Sequence, residues 1–208
     1  NALMIKAFAE AGRVLEQNAF TEVAVKAAQL IFMSCLKDGK LMHSYKNGEA
    51  RLNGYLDDYA YLLDALIAVY EATFDEVWIE KAIWVADKMI ELFWDSQDGG
   101  FFFTSCDHED LITRTKDYSD NAVPSGNSVA ATALLRLHLL TGNEEYQRKA
   151  VSVLRVVSKA MERFPGGFGQ MLCALDLYLH PPVEVVVVGR RQSEDTKELL
   201  RAVYAGSK

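Results

Sequence analysis

The sequence lacks the short motifs that identify most catalytic and metal-binding classes. It contains no H-x-x-x-H or H-E-x-x-H spacing and no cysteine cluster that would hold a metal. It also contains no G-x-S-x-G nucleophile turn and no phosphate-binding glycine loop. We therefore expect neither a metal nor another cofactor, and any chemistry has to come from ordinary titratable side chains.

Cysteine is scarce as well, and long apolar runs are missing. Cys35, Cys106 and Cys173 lie far apart without a C-x-x-C pair, which predicts reduced thiols and a cytoplasmic protein. Apolar neighbours predict that Cys35 and Cys173 are buried packing residues. No segment approaches the roughly 20 apolar residues that span a bilayer, and no signal peptide opens the chain.

Positive charge is in deficit, since the net charge is −7 and the pI is near 5.2. Such a chain has no basic field for phosphates, which argues against nucleic acids and anionic membranes as partners. Its 208 residues, 50% of them hydrophobic, are enough for one globular core. Because the chain begins at Asn1 inside a predicted helix, we expect a fragment or a processed product.

An internal similarity organises the chain. Three segments align on a Lys-Ala pair, and each begins a helix that follows an apolar one. The segments are NAFTEVAVKAA from Asn18, TFDEVWIEKAI from Thr73 and TGNEEYQRKAV from Thr141. Their starts are 55 and 68 residues apart. These offsets are too irregular for a short-period solenoid, but they suit helical hairpins joined by loops of variable length.

The predicted helices are of two kinds. Residues 57–72 and 127–140 are apolar almost all round, which is typical of buried helices. Residues 75–93 and 143–162 have one apolar stripe and a charged face, which is typical of an outer layer. The remaining predicted helices are 2–17, 20–37 and 168–179. The alternation predicts an all-α fold, a partial α/α toroid of the six-hairpin type over residues 1–180.

Two long loops lead from outer helices into inner ones, at Asp38–Leu56 and Trp94–Gly126. Loops of this length in a compact domain are usually functional. Both precede the N-terminal ends of inner helices, where unpaired N–H groups and positive dipole ends converge. We call this end of the barrel the mouth and expect the functional site there.

Two β elements are also predicted. In the second long loop, Phe101–Thr104 and Leu111–Thr113 indicate a small β-hairpin over the mouth. After the toroid, residues 181–208 predict an extension that consists of a buried strand at Val185–Val188 and a helix from about Ser193.

Two polar runs stand at the mouth. Paired carboxylates at a helix start suit acid–base chemistry or recognition of sugar hydroxyls, although N-capping explains one of them. The run Lys116–Ser128 has more polar groups than a cap requires and predicts a polar binding wall. The candidate catalytic residues are Asp57, Asp58 and Asp120. The candidate substrate-binding residues are His43, Arg51, Tyr55, Tyr59, Trp94, Phe102, Lys116, Asp117, Ser125 and Asn127.

Three motifs in order carry a family resemblance: LNGYLDDYA from Leu52, LFWD from Leu92 with GGFFFT from Gly99, and PSGNS from Pro124. The chain resembles, through Val185, the helical part of the thioredoxin-domain-containing proteins related to spermatogenesis-associated protein 20. The resemblance implies a preceding thioredoxin-like domain and a six-hairpin toroid similar to N-acylglucosamine 2-epimerases and six-hairpin glycosidases. Epimerases of that fold use a pair of histidines, for which His43 is the one candidate here.

Two classes of function follow. One is a carbohydrate-active enzyme, an isomerase or epimerase or else a glycoside hydrolase, that uses Asp57 or Asp58 with Asp120 on a sugar-like ligand. The other is a non-catalytic binding module that serves the thioredoxin-like domain or a partner protein. About seven helices are predicted where a closed toroid of this type has about twelve, so uncovered apolar surface predicts a homo-oligomer or a missing N-terminal domain as partner.

Overall fold

A computed structural model describes residues 1–108, 113–190 and 193–206. The all-α class is confirmed in these ranges. The helices are α1 (Ala2–Val14), α2 (Asn18–Ser34), α3 (Leu56–Thr73), α4 (Glu76–Phe93), α5 (Gly126–Thr141), α6 (Glu144–Arg163), α7 (Gly169–Leu179) and α8 (Glu194–Gly206). The strands are β1 (Leu36–Lys37), β2 (Lys40–Lys46) and β3 (Glu49–Asn53). No helix in the described ranges is long and apolar enough to cross a membrane.

The helices form two layers. Helices α1, α3, α5 and α7 pack side by side as the inner layer, and α2, α4 and α6 each pack outside the inner helix that precedes them. Side chains such as Leu63 and Leu66 of α3 are completely buried between the layers. Each such burial contributes about 1.5–3 kcal/mol. The predicted partial toroid is therefore present as an arc of helical hairpins. Cys173 of α7 is exposed, which overturns the prediction that it packs in the core.

The β-structure lies in the first long loop rather than the second. Strands β2 and β3 are antiparallel, and β1 adds a short third strand beside β2. Asn47 and Gly48 join them with φ of 55° and 80°, the left-handed pair that a type I′ turn requires. Because Leu36 and Lys37 join this sheet, α2 ends at Ser34 and not at residue 37 as predicted.

The hairpin predicted in the second long loop can be compared with the structure only at its first arm, Phe101–Thr104, which is not a regular strand. Residues 111 and 112 of its second arm lie outside the described residues. The first arm is irregular: Gly99 and Gly100, both with positive φ, turn the chain back so that Phe101 forms a single bridge with Trp94. The loop is instead closed by a hydrogen bond from Phe103 N to Thr115 O of 2.7 Å.

In the C-terminal extension, the predicted helix is present and the predicted strand is not. The helix from about Ser193 is confirmed as α8, which packs under the inner layer: Tyr204 Oη donates to Glu71 O at 3.0 Å. The predicted strand at Val185–Val188 is wrong, because no described residue pairs with it and Val188 is 92% exposed. A strand cannot form without a neighbour to accept and donate its backbone hydrogen bonds.

Candidate functional site

The mouth is built where the first turns of α3 and α5 meet. The backbone N–H of Gly126 donates to the carboxylate of Asp57. A Cβ atom at Gly126 would overlap Asp57 Oδ1 and lie 2.9 Å from Leu56 Cγ, so a larger residue would displace these side chains. The Pro-Ser-Gly sequence thus brings one helix start against the other and places Asp57 between them.

Asp57 is the most strongly perturbed carboxyl group at the mouth. Burial raises its pKa, and repulsion from Asp58 and Asp117 raises it further, to about 6. The hydrogen bond from Gly126 opposes this shift but does not cancel it. A carboxyl group that titrates near neutral pH can both release and accept a proton, as general acid–base catalysis requires.

Asp58 points the other way and binds two partners. Its Oδ2 accepts the backbone N–H of Tyr55 at 2.8 Å, which completes a capping box at the start of α3. The same oxygen lies 2.9 Å from Nδ1 of His43 on β2. The side chain of His43 remains 46% exposed, so Asp58 holds an imidazole that a ligand can reach.

Tyr55 provides an aromatic surface beside this pair. Its ring stacks on Phe103 with centroids 4.9 Å apart and meets His43 edge-on at 5.2 Å. Tyr59 does not share this surface: it is 1% exposed, and its hydroxyl accepts the N–H of Leu41 at 2.9 Å. Tyr59 therefore anchors β2, which carries His43, and does not face a ligand.

Asp120 has a structural role that uses both of its oxygens. Oδ1 accepts the N–H of Ser125 at 2.9 Å, and Oδ2 accepts the N–H of Gln170 at 2.8 Å. Ser125 in turn caps α5 through its hydroxyl, which accepts the N–H of Ser128 at 3.2 Å. Asp120 therefore ties the second long loop to the starts of α5 and α7.

Other residues of the predicted polar wall brace the same loop. Asn127 is completely buried, and its amide donates to Phe101 O at 2.9 Å and to Asp117 O at 2.8 Å. Lys116 Nζ lies 2.6 Å from Asp95 Oδ2 and donates to Gly99 O at 2.7 Å. These contacts hold the irregular loop in shape, which accounts for the polar excess in its sequence.

The remaining candidates face away from Asp57 or are covered by the protein's own cations. Phe102 lies under Arg114, at 4.1 Å from the ring centroid, while Trp94 lies under Lys149 of the outer helix α6, at 4.3 Å. Arg51 pairs with its neighbour Glu49 at the exposed hairpin. The structure thus leaves a smaller group at the mouth, which we call the mouth site: His43, Tyr55, Asp57, Asp58 and Asp117.

No family model matches the sequence. Among curated proteins, spermatogenesis-associated protein 20 of Homo sapiens is 35% identical over 99% of the chain, and the protein of the same name from Rattus norvegicus is 36% identical over 99%. Over this length, the chain is a homologue of part of spermatogenesis-associated protein 20. The chain spans only 28% of the human relative.

A solved structure shows the same fold. The crystal structure of D-mannose isomerase superposes with a TM-score of 0.64 over 75% of this chain and 41% of that one, at 13% sequence identity. At this identity the likeness establishes the toroid fold and not the reaction. The arc homologous to spermatogenesis-associated protein 20 thus corresponds to part of a helical toroid.

Sequence reasoning missed a group of charges on the inner layer. Asp64 of α3 accepts from Lys6 Nζ of α1 at 2.7 Å and pairs with Arg136 of α5, which also binds Glu71 at 2.9 Å. A side chain that reaches both neighbours of α3 lies on the concave face, because α4 covers the outside. The signal was present, since each charge interrupts an otherwise apolar helix.

Tyr61 was also missed. It lies one turn after Asp57 on the same face of α3 and donates a hydrogen bond to Pro124 O. Burial raises its pKa to about 12, with Asp57 and Asp120 adding to the shift. Together with Asp64, Tyr61 continues a polar stripe from the mouth site down the concave wall.

Proposed function

We propose that the mouth site binds a sugar-like ligand and catalyses proton transfer of the kind used by sugar isomerases. The observation that carries the proposal is that two candidate acid–base groups stand at the start of α3, on neighbouring residues. One is Asp57, with its pKa raised to about 6, and the other is the His43–Asp58 pair, joined at 2.9 Å.

The chemistry requires both groups. In an aldose–ketose isomerisation, a base removes the proton on C2 and returns it to C1, while a second group moves a proton from the C2 hydroxyl to the carbonyl oxygen. His43 offers Nε2 as the base, since Nδ1 is occupied by Asp58. Asp57 supplies and recovers the hydroxyl proton, for which a pKa near the working pH is suitable.

The neighbouring groups support a carbohydrate as ligand. The ring of Tyr55 can pack against the apolar face of a sugar, and the exposed carboxylate of Asp117 can accept hydrogen bonds from hydroxyl groups. The fold likeness to D-mannose isomerase points in the same direction. Glycoside hydrolysis is less well supported, because it needs two available carboxyl groups and both oxygens of Asp120 already accept backbone N–H groups.

A non-catalytic binding module is the second candidate. The bracing of the mouth loop by Lys116, Asp120 and Asn127 favours it, because these residues stabilise a surface and leave few polar groups for chemistry. Binding of a sugar without proton exchange would identify this alternative.

The proposal is tested by incubating the protein in D₂O with D-mannose and other neutral aldoses and following deuterium at C2 by proton NMR. Exchange is expected with at least one sugar. His43→Gln and Asp57→Asn should each lower its rate by about 10²–10⁴-fold, the range for loss of an acid–base group.

The matched control is Asp75→Asn. Asp75 caps the outer helix α4, accepting the N–H of Val77, and takes no part in the mouth site. It should leave the exchange rate unchanged. The proposal fails if none of the sugars exchanges, or if the Asp75 variant loses as much activity as the Asp57 variant.

A further inference from the structure

The side chain of Tyr59 contacts the strand that carries His43, although it does not face the mouth. Its ring is buried and packs against Phe93, with ring centroids 5.2 Å apart. Its hydroxyl oxygen accepts the backbone N–H of Leu41 at 2.9 Å, two residues before His43. Neither group can turn to water instead, because an unpaired polar group is costly inside the core. The contact therefore ties α3 to the backbone of β2.

Leu41 lies at the buried end of β2. Its N–H is bound by Tyr59, and its carbonyl oxygen accepts the N–H of Gly54 at 2.9 Å. Leu41 and Met42 are buried, whereas residues 43–46 of the strand are exposed. The buried part of β2 thus ends one residue before His43, so the place of the imidazole depends on how firmly Leu41 is held.

His43 has a second attachment to the same turn of α3. Nδ1 of its ring lies 2.9 Å from Oδ2 of Asp58, the residue next to Tyr59. That carboxylate is itself fixed, because it also accepts the N–H of Tyr55. Consecutive residues of α3 therefore hold β2 at two points, one through the backbone of the strand and one through the imidazole. Since a strand rises about 3.3 Å per residue, these points are about 7 Å apart.

We propose that Tyr59 is a positioning residue for the base of the reaction. Its hydroxyl fixes β2 so that Asp58 holds Nδ1 of His43 and Nε2 stays free for the ligand. A hydrogen bond of this kind needs an N···O distance of about 2.7–3.2 Å, so a strand displaced by about 1 Å loses it. The inference rests on the function proposed above for His43, and it goes further because Tyr59 does not contact the ligand.

The first test needs no ligand. In ¹⁵N-labelled protein at about pH 8.5, where free imidazoles are neutral, nitrogen chemical shifts show which ring nitrogen carries the proton. The wild type should show one form of His43 with the proton on Nδ1, as its hydrogen bond to Asp58 requires. In Tyr59→Phe these signals should move toward a mixture of the two neutral forms. The signals are assigned with His43→Gln, in which they are absent.

The second test follows deuterium exchange at C2 of the sugar at several sugar concentrations. Tyr59→Phe should lower kcat by about 10²-fold, the effect of a catalytic group displaced by about 1 Å, and leave KM nearly unchanged. In a His43→Gln background the same substitution should have no further effect, because Tyr59 acts through His43.

The matched control is Tyr146→Phe. Tyr146 is also buried, and its hydroxyl donates to Asp87 at 2.8 Å between the outer helices α4 and α6. The control should lower the melting temperature as Tyr59→Phe does, but it should leave the His43 shifts and kcat unchanged. If circular dichroism shows that Tyr59→Phe does not fold, Gly54→Ala replaces it. A Cβ atom there would lie 2.7 Å from Leu41 O and displace β2 from the other side.

The inference is overturned if Tyr59→Phe keeps the single Nδ1 form of His43, or if Tyr146→Phe loses that form as well. It is also overturned if the loss of kcat adds in full to that of His43→Gln, or if KM rises and kcat does not fall. A wild type that exchanges none of the sugars refutes the proposed function, and the shifts of His43 then still decide whether Tyr59 positions it.

Discussion

The raised pKa of Asp57 has a consequence for stability that can be measured without any ligand. Its pKa is about 6 in the folded protein and 3.8 when the chain is unfolded. Between these values the folded state binds more protons than the unfolded state, so the free energy of unfolding falls as the pH rises from 4 to 6. From about pH 7 the loss is nearly complete, because Asp57 is then mostly ionised in both states.

The magnitude follows from the shift. Each pKa unit is worth 1.36 kcal/mol, which gives an upper limit of about 3 kcal/mol for Asp57. Partial exposure screens the neighbouring charges, so about 1–2 kcal/mol is expected. Asp57→Asn keeps an oxygen for the N–H of Gly126 but carries no charge. It should therefore stabilise the protein by this amount at pH 7.5 and have little effect at pH 4.

Urea unfolding of the wild type and Asp57→Asn at several pH values between 4 and 8 measures this difference directly. The matched control is Asp75→Asn at the start of α4, which makes the same change of charge at a capping residue that does not contact Gly126. A destabilisation by Asp57→Asn of equal size at every pH would refute the reasoning, because it would mean that Asp57 serves only as a hydrogen-bond acceptor.

Three further changes test the construction of the site. Asp120→Asn places an amide donor against a backbone N–H and should cost about 1–3 kcal/mol in urea unfolding; an unchanged midpoint would show that Asp120 does not tie the loop. Gly126→Ala should cost about 1–3 kcal/mol through the contacts with Asp57 and Leu56, and calorimetry should show a lower melting temperature. Asp64→Ala leaves the partly buried Arg136 without one of its partners and should cost less than the roughly 3–5 kcal/mol of a fully buried pair, and an effect below about 1 kcal/mol would contradict the pairing.

The layered helices could be predicted because hydrophobic periodicity reports burial directly. Helix α3, apolar all round, can only lie inside, and α4, with one charged face, can only lie outside. The hairpin could have been predicted too. Asn47-Gly48 between two polar–apolar segments is a strong local turn signal, whereas the aromatic run after Gly100 reflects packing against Trp94 and not strand pairing.

The sequence could not predict which mouth residues face a ligand and which support the fold. That distinction depends on the direction in which each side chain points and not on its place in the chain. Asp57 and Asp58 are consecutive, yet one meets the start of α5 and the other meets β2. The polar run after Lys116 likewise resembles a binding wall in sequence. Only the structure shows that the side chains of Asp120 and Asn127 form hydrogen bonds with backbone groups of the protein itself.

The pH profile of deuterium exchange at C2 of the sugar tests the central claim most directly. If Asp57 acts as the acid beside His43, the exchange rate of the wild type should fall as the pH rises through about 6, and this inflection should be absent in Asp57→Asn. Exchange that keeps the same inflection in Asp57→Asn would contradict the assignment of Asp57, and a protein that exchanges none of the sugars at any pH would contradict the isomerase-like site as a whole.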